Sequence, residues 1–252
     1  MPKLFKAPTS DNTAKFYDDL IAGRTRRGLW GAEARFDGAL ISTKYSVRRH
    51  FTPNVAPYIR PTDVVLDVGC GSGGFLPILS ELCAKLVGID ITPSFVAKSM
   101  EIAEKFNLAN TEILQESCEH LPFDNHSFDV VVMLDVIHHM ENVRDSLKEV
   151  HRVLTPGGRV IVFEPNKLNP LVYVMCMLDP NERGVLPLGT KGAYRRLFAP
   201  YFTVERMEYN GMLIGPQQGL SLAISDVINH RHTKPLLGWL NARMFIALTK
   251  PQ

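Results

Sequence analysis

A regular alternation of short apolar runs with amphipathic segments, from Val64 to Glu164, constrains this chain more than any other feature. "DVVLDVG" is a short apolar run ending at glycine and reads as a buried strand. "GGFLPILSELCAK" reads as a helix packed on it, and "LVGID" as a second strand. In "DITPSFVAKSMEIAEKFN", Thr92 stands where a helix is capped and Pro93 suits its first turn. Val96, Met100 and Ala103 then share one face. "TEILQ" is a third strand, and "FDVVVML" a fourth, apolar almost throughout as a strand covered on both faces should be. "NVRDSLKEVHRVL" puts Val143, Leu147, Val150 and Leu154 on one stripe; "TPGG" stops it, and "RVIVFE" is a fifth strand. Strands and helices alternating at this spacing require right-handed crossovers and a parallel sheet with helices on both faces. The expected class is an open, doubly wound α/β domain.

The flanks are less regular. Residues 1–60 predict a helical cap or lid, with "AKFYDDLIAG" and "ISTKYSVRRHFTPNVAPYI" at roughly helical spacing around a Gly/Arg-rich loop. Residues 61–252 hold the domain proper, with substrate-side insertions at about 166–200 and about 211–240. "FTVERMEYN" and "ARMFIALTK" read as two late strands that bring the sheet to seven. "LVYVMCMLDP" is either a lid over an apolar substrate or a core helix; methionine adapts its shape to both.

Net charge is +2, so there is no general pull toward nucleic acid or an anionic membrane. Four cysteines without C-x-x-C or zinc-finger spacing read as reduced thiols of a cytoplasmic protein. The first residues, "MPKLFKAPTSDN", lack the apolar core of a signal peptide, and no apolar run approaches the roughly 18 residues of a membrane span. The sequence leaves the oligomeric state open.

In sheets of this kind, ligands bind outside the carboxyl ends of the strands, where strand order reverses. "VVLDVGCGSGGF" lies at such a place, with Gly69, Gly71 and Gly74 at G-x-G-x-x-G. The glycines alone say only that backbone approaches a ligand or turns tightly. Asp67 says more. A dinucleotide pyrophosphate is anionic and sits on the helix N-terminus. A carboxylate two residues before the first glycine repels phosphate and suits an ammonium or sulfonium. The plainer alternative is a strand-end aspartate capping the turn. Asp90 ends the second strand, about twenty residues on, where an acidic residue accepts both hydroxyls of a ribose; its alternative is a cap on the following helix. Together they favour a ligand with adenosine at one end and a cationic amino acid at the other.

That description fits S-adenosyl-L-methionine, and "LDVGCGSG" closely resembles the first motif of class I S-adenosylmethionine-dependent methyltransferases. "VGIDIT" looks like their second motif. "LPFDNHSFDVVVMLDVIHHM" resembles the small-molecule (UbiE-like) branch, and "VLTPGGRVIVFEPN" is similar to the turn into the family's fifth strand. The resemblance covers about residues 60 to 165. It implies a Rossmann-like seven-stranded sheet, mostly parallel with a late antiparallel strand. It also implies that Asp67, Gly69 and Gly71 line the methionine end, Asp90 holds the ribose and Ile91 covers the adenine. Ser117 and Cys118 fall beside the adenine amino group, where the family often has an acid; here the acid is absent, and Glu116 stands one position early. Leu134 falls where a backbone carbonyl meets the methionine ammonium. Tyr17 lies in the segment that folds over the cofactor in related enzymes.

Methyl transfer from a sulfonium is an in-line displacement, assisted by a base where the acceptor is a hydroxyl. His138 and His139 follow the fourth strand directly and are the catalytic candidates, though a structural or cofactor-facing role fits the pair as well. Asp135 and Glu164, at the ends of strands four and five, are weaker candidates for the base and read first as helix caps or loop partners. Tyr45 and Arg49 are candidates to meet the acceptor. Arg24, Arg26, Arg27, Arg48 and Arg49 either hold a carboxylate or phosphate or form a solvated face. The fourth strand ends in "MLDV", without the Asn/Asp-Pro-Pro-Tyr-type turn of enzymes that methylate nucleobases or amides. With no basic stripe, nucleic acid is not expected as substrate. The expected acceptor is a small or lipid-like molecule of specialised metabolism, with oxygen preferred over carbon and nitrogen. The rival readings are an NAD-dependent oxidoreductase and a module that binds the nucleoside without catalysis.

Overall fold

The structure is a computed structural model that describes residues 10–22, 24, 41, 44–213 and 219–252. Arg26 and Arg27, and most of the Gly/Arg-rich loop around them, lie outside the described residues. The chain opens with α1 (Ser10–Ile21), α2 (Tyr45–His50) and α3 (Thr52–Val55). The alternation follows: β1 (Val64–Val68), α4 (Leu76–Ser80), β2 (Lys85–Asp90), α5 (Pro93–Lys105), β3 (Thr111–Gln115), β4 (Phe128–Leu134), α6 (Val143–Val153) and β5 (Leu154–Pro165). After β5 come α7 (Pro170–Leu178), α8 (Val185–Leu188), α9 (Lys191–Phe198), β6 (Thr203–Asn210), α10 (Leu220–Asn229), α11 (Lys234–Leu237) and β7 (Arg243–Thr249).

The seven strands run in the order β3-β2-β1-β4-β5-β7-β6. β1 to β5 are parallel, and β7 is antiparallel to both of its neighbours. Chain order reverses between β1 and β4, so a crevice opens above the ends of those two strands. Alternate residues of the central strands face opposite layers, as the pleat demands. Val65, Val130, Val132, Ile161 and Phe163 pack with Val47, Phe51, Leu76 and Leu79 on one side. Leu66, Val131, Val162 and Ile246 pack with Leu147, Val150, Tyr194 and Phe198 on the other. Phe51 and Phe163 are wholly buried with ring centroids 5.2 Å apart. Truncating either to alanine would cost about 3–5 kcal/mol.

Three local expectations need correction. The helix after the glycine turn is only one turn and a half, Leu76–Ser80, because the chain bends into β2 soon after it. β5 begins at Leu154, so "TPGG" is part of an irregular strand start, with Gly157 at φ 74°, rather than a free turn. Thr92 holds the N-cap position of α5, yet its hydroxyl makes no capping bond. Asp18 of α1 takes over instead, accepting from the Ser94 amide at 3.2 Å and from the Ser94 hydroxyl. That contact pins α1 across the start of α5. No helix among the described residues is long and apolar enough to cross a membrane.

Candidate active site

The glycine turn after β1 is possible only with glycine where the chain is tightest. Gly69 has φ 71°, and a Cβ there would lie 2.4 Å from Cγ2 of Val136. Gly71 has φ 57° and nothing within 4 Å of its would-be Cβ, so its backbone faces open space. That space is a cavity of about 180 Å³ at the ends of β1, β2 and β4.

The cavity brings together most of the residues singled out from the sequence. Asp67, Gly69, Gly71, Asp90, Ile91, Ser117, Cys118, Leu134, Tyr17 and His139 all line it. Asp67 is 1% exposed, and its Oδ1 is buried without a hydrogen-bond partner. Burial first, and the nearby Asp90 carboxylate second, push its pKa up to about 7. A carboxylate left in that state by the protein's own groups calls for a cation from outside. The capping alternative fails, since no backbone amide meets its Oδ1.

Asp90 does what its capping alternative foresaw. Its Oδ2 accepts from the Gly71 amide at 3.0 Å and its Oδ1 from the Thr92 amide at 2.9 Å. It therefore ties the glycine turn to the start of α5. Each carboxylate oxygen retains a lone pair, so a diol can still be accepted. Burial raises its pKa against the pull of those amides.

Beyond β3, Cys118 donates its thiol to the Ser146 hydroxyl at 3.4 Å, and Ser117 accepts from the Glu119 amide at 3.3 Å. Glu119, which sequence reading passed over, also lines the cavity. Its carboxylate is held by the amide and side chain of Asn142 at 3.2 and 3.1 Å. Phe95, Thr13 and Met140 are further wall residues without a local signal; each faces the cavity only because its helix or turn docks there. α1 covers this side, with Tyr17 5.1 Å from the Phe95 ring and its hydroxyl 3.3 Å from Nε2 of His139.

The two histidines part company. A 3-10 turn over Ile137–His139 turns His139 to the cavity and His138 into the interior. His138 is a correction to the expected catalytic pair: its side chain is 1% exposed and does not line the cavity. Its Nδ1 lies 2.7 Å from Oε2 of Glu164, and its Nε2 lies 3.3 Å from Oε2 of Glu182. Burial alone would lower its pKa, but Glu164 and then Glu182 override it and raise it to about 10. His138 thus holds its proton at neutral pH. Glu164 is a loop partner, accepting also from the Val136 and Ile137 amides at 2.9 and 2.8 Å and from the Tyr194 hydroxyl at 2.9 Å. Asp135 is another, paired with Arg243 at 2.6 Å.

Tyr45 and Arg49 stand away from the cofactor cavity. They sit on the surface of α2, where Arg49 donates to the Tyr45 hydroxyl at 2.6 Å and lies 3.8 Å from Asp226. Neither lines the cavity. Arg24 is likewise exposed, on Asp19, so the described arginines of this region form a solvated face.

With this geometry in view, comparison with known proteins is informative. Residues 66–162 match the family described as methyltransferase domain. A sterol 4-C-methyltransferase of Caenorhabditis elegans, strm-1, is 32% identical over 105 residues, 41% of this chain and 31% of that protein. A demethylmenaquinone methyltransferase of Chlorobaculum tepidum is 36% identical over 102 residues, 40% of each. The matched segments thus span less than half the length of these curated relatives. The crystal structure of the [4+2]-cyclase SpnF covers 98% of this chain and 98% of its own, with a TM-score of 0.63 at 20% identity. The likeness to SpnF is one of fold. S-adenosylmethionine is the cofactor that the matched family implies, and the buried Asp67 with its unpartnered Oδ1, the Asp90 carboxylate at the cavity wall and the open backbone of Gly71 fit it. Residues 66–162 are a class I S-adenosylmethionine-dependent methyltransferase domain.

Proposed function

We propose that the chain is an S-adenosylmethionine-dependent methyltransferase acting on a small apolar or lipid-like acceptor. One observation carries this reading above the others: the buried Asp67 carboxylate, with Oδ1 unpartnered, in the same cavity as Asp90. It supports a ligand cationic at one end and a diol at the other, and it disfavours a pyrophosphate. Asp67, with the backbone of Gly69, Gly71 and Leu134, holds the amino-acid end. Asp90 accepts the ribose hydroxyls. Ile91, Ser117, Cys118 and Phe95 enclose the base, and Tyr17 closes the cavity from α1. The cofactor supplies an electrophilic methyl group when bound; the walls exclude water from it. His139, at the cavity wall, is the histidine placed to meet the proton of an acceptor hydroxyl.

The acceptor's character is read from α7. Leu171, Val174 and Leu178 are 76%, 52% and 65% exposed, while Val172 and Cys176 of the same helix are buried against Val185 and Leu186. An exposed apolar face beside the domain suits an apolar ligand or interface. The names of the sterol and demethylmenaquinone relatives point the same way. Oxygen is the preferred acceptor atom because His139 offers a proton acceptor; the "4-C" of the sterol relative favours carbon as the second reading. The test is transfer of a labelled methyl group from S-adenosylmethionine to a panel of isoprenoid quinols, phenols and sterols. Label in an organic-soluble product, lost in Asp67→Ala, is the expected result. Cofactor binding with no label in any product would mark a binding module instead.

A further inference from the structure

Behind the cavity wall, three side chains of metal-ligating type converge. The ligand atoms of His138, His139 and Glu182 all lie within 4.8 Å of one another. The edge between His138 Nε2 and Glu182 Oε2 is 3.3 Å. A tetrahedral zinc shell with bonds of 2.0–2.1 Å has edges of about 3.4 Å, so that edge is already at its bound length. Two histidines and a glutamate form a ligand set that zinc takes in hydrolytic enzymes, with the fourth position open to water or substrate.

The surroundings are those of a metal centre. His138 presents Nε2 to the cluster because Nδ1 is fixed by Glu164 at 2.7 Å, the carboxylate–histidine arrangement that sets tautomer and ring orientation. Glu164 is itself fixed by two amides and by the Tyr194 hydroxyl. On the other side, the Tyr17 hydroxyl lies 3.3 Å from Nε2 of His139. Glu182 comes from a distant 3-10 turn, and Gly184 lets that turn in: a Cβ at Gly184 would lie 1.7 Å from the His138 carbonyl oxygen. Glu164 and Glu182 are both buried carboxylates beside His138, and a dication held among these side chains balances their charge.

We infer that His138, His139 and Glu182 form a zinc(II) site at the wall of the cofactor cavity, with Glu164 orienting His138. Zinc binding stands independently of methyl transfer. Only the role of the ion rests on the proposed function: there His139 becomes a ligand of an ion whose open position takes an acceptor oxygen and makes it more acidic.

The experiment uses the full chain, stripped with a chelator, without cofactor or acceptor. Zinc(II) is titrated by calorimetry, and cobalt(II) by its visible absorption, which is intense in a four-coordinate site. The expected result is one equivalent at micromolar affinity or tighter. Glu182→Gln should weaken binding at least about 100-fold while S-adenosylmethionine still raises its unfolding temperature. Should that variant fail to fold, His139→Ala replaces it, read by the same loss of zinc affinity alone, because His139 also lines the cofactor cavity. No saturable one-to-one binding in the native chain, or unchanged affinity in a folded variant, overturns the site and leaves a buried His–Glu ion cluster. Because no turnover is read, this failure is distinct from failure of the methyltransferase reading.

Discussion

Asp67 is placed at a cost to the ligand-free protein. Its carboxyl group titrates near its ordinary value, 3.8, in the unfolded chain and near 7 in the fold. Between those values the unfolded state has released a proton that the folded state keeps, so rising pH favours unfolding. Above 7 the full penalty remains, on the order of 4 kcal/mol. Asp67→Asn should therefore raise the unfolding temperature of the ligand-free protein, by more at pH 8 than at pH 5. The same change should weaken S-adenosylmethionine binding at least about tenfold, and native affinity should rise as pH passes 7. Thermal scans of both proteins at several pH values would check the first claim, and calorimetry the second. An equal shift at every pH would remove the titration account. Asp90→Ala should weaken binding by about 1–3 kcal/mol and also lower stability, because the Gly71 and Thr92 amides lose their acceptor. Unchanged affinity in a folded Asp90→Ala protein would show that the ribose is held elsewhere.

Among the elements, β1, β2 and their glycine turn were legible in the sequence because every signal there is local: apolar runs, glycines, and two carboxylates at fixed offsets. The site residues on these elements reach the cavity for the same reason. The His138–His139 pair was legible only as a pair. Which ring faces the ligand is decided by a single 3-10 turn and by Glu164, 26 residues beyond His138. Glu182 was invisible, since its partner is 44 residues back in the chain and is reached only through the fold. Tyr45 and Arg49 were not legible, because an arginine beside a tyrosine in a helical flank looks alike whether it faces a ligand or solvent. Asp18 anchors α1 to Ser94, beside the contacts of Tyr17 with Phe95 and His139. Asp18→Ala should loosen α1, weaken cofactor binding by about 0.5–1.5 kcal/mol and speed proteolysis ahead of residue 45, while the unfolding temperature of the sheet holds. If proteolysis and affinity both stay native, α1 is held by packing alone.

For the molecule as a whole, the sheet order puts the cavity at its one reversal, and the irregular elements gather after β5. α7 and α10 together expose Leu171, Val174, Leu178, Leu220, Ile224 and Val227. Replacing Leu171, Val174 and Leu178 by serine removes apolar surface that the core does not use. The triple variant should keep its unfolding temperature and cofactor affinity while losing turnover with apolar acceptors more than with water-soluble ones. Equal turnover with both classes would detach α7 from the acceptor. The measurement that tests the central reading most directly is thermal unfolding with S-adenosylmethionine, S-adenosylhomocysteine and NAD in parallel. A ligand that binds only the folded chain raises the midpoint by mass action. A rise with the two sulfur nucleosides and none with NAD is the predicted result. A rise with NAD alone would mean that Asp67 does not await a cation, and that the glycine turn is built for a pyrophosphate.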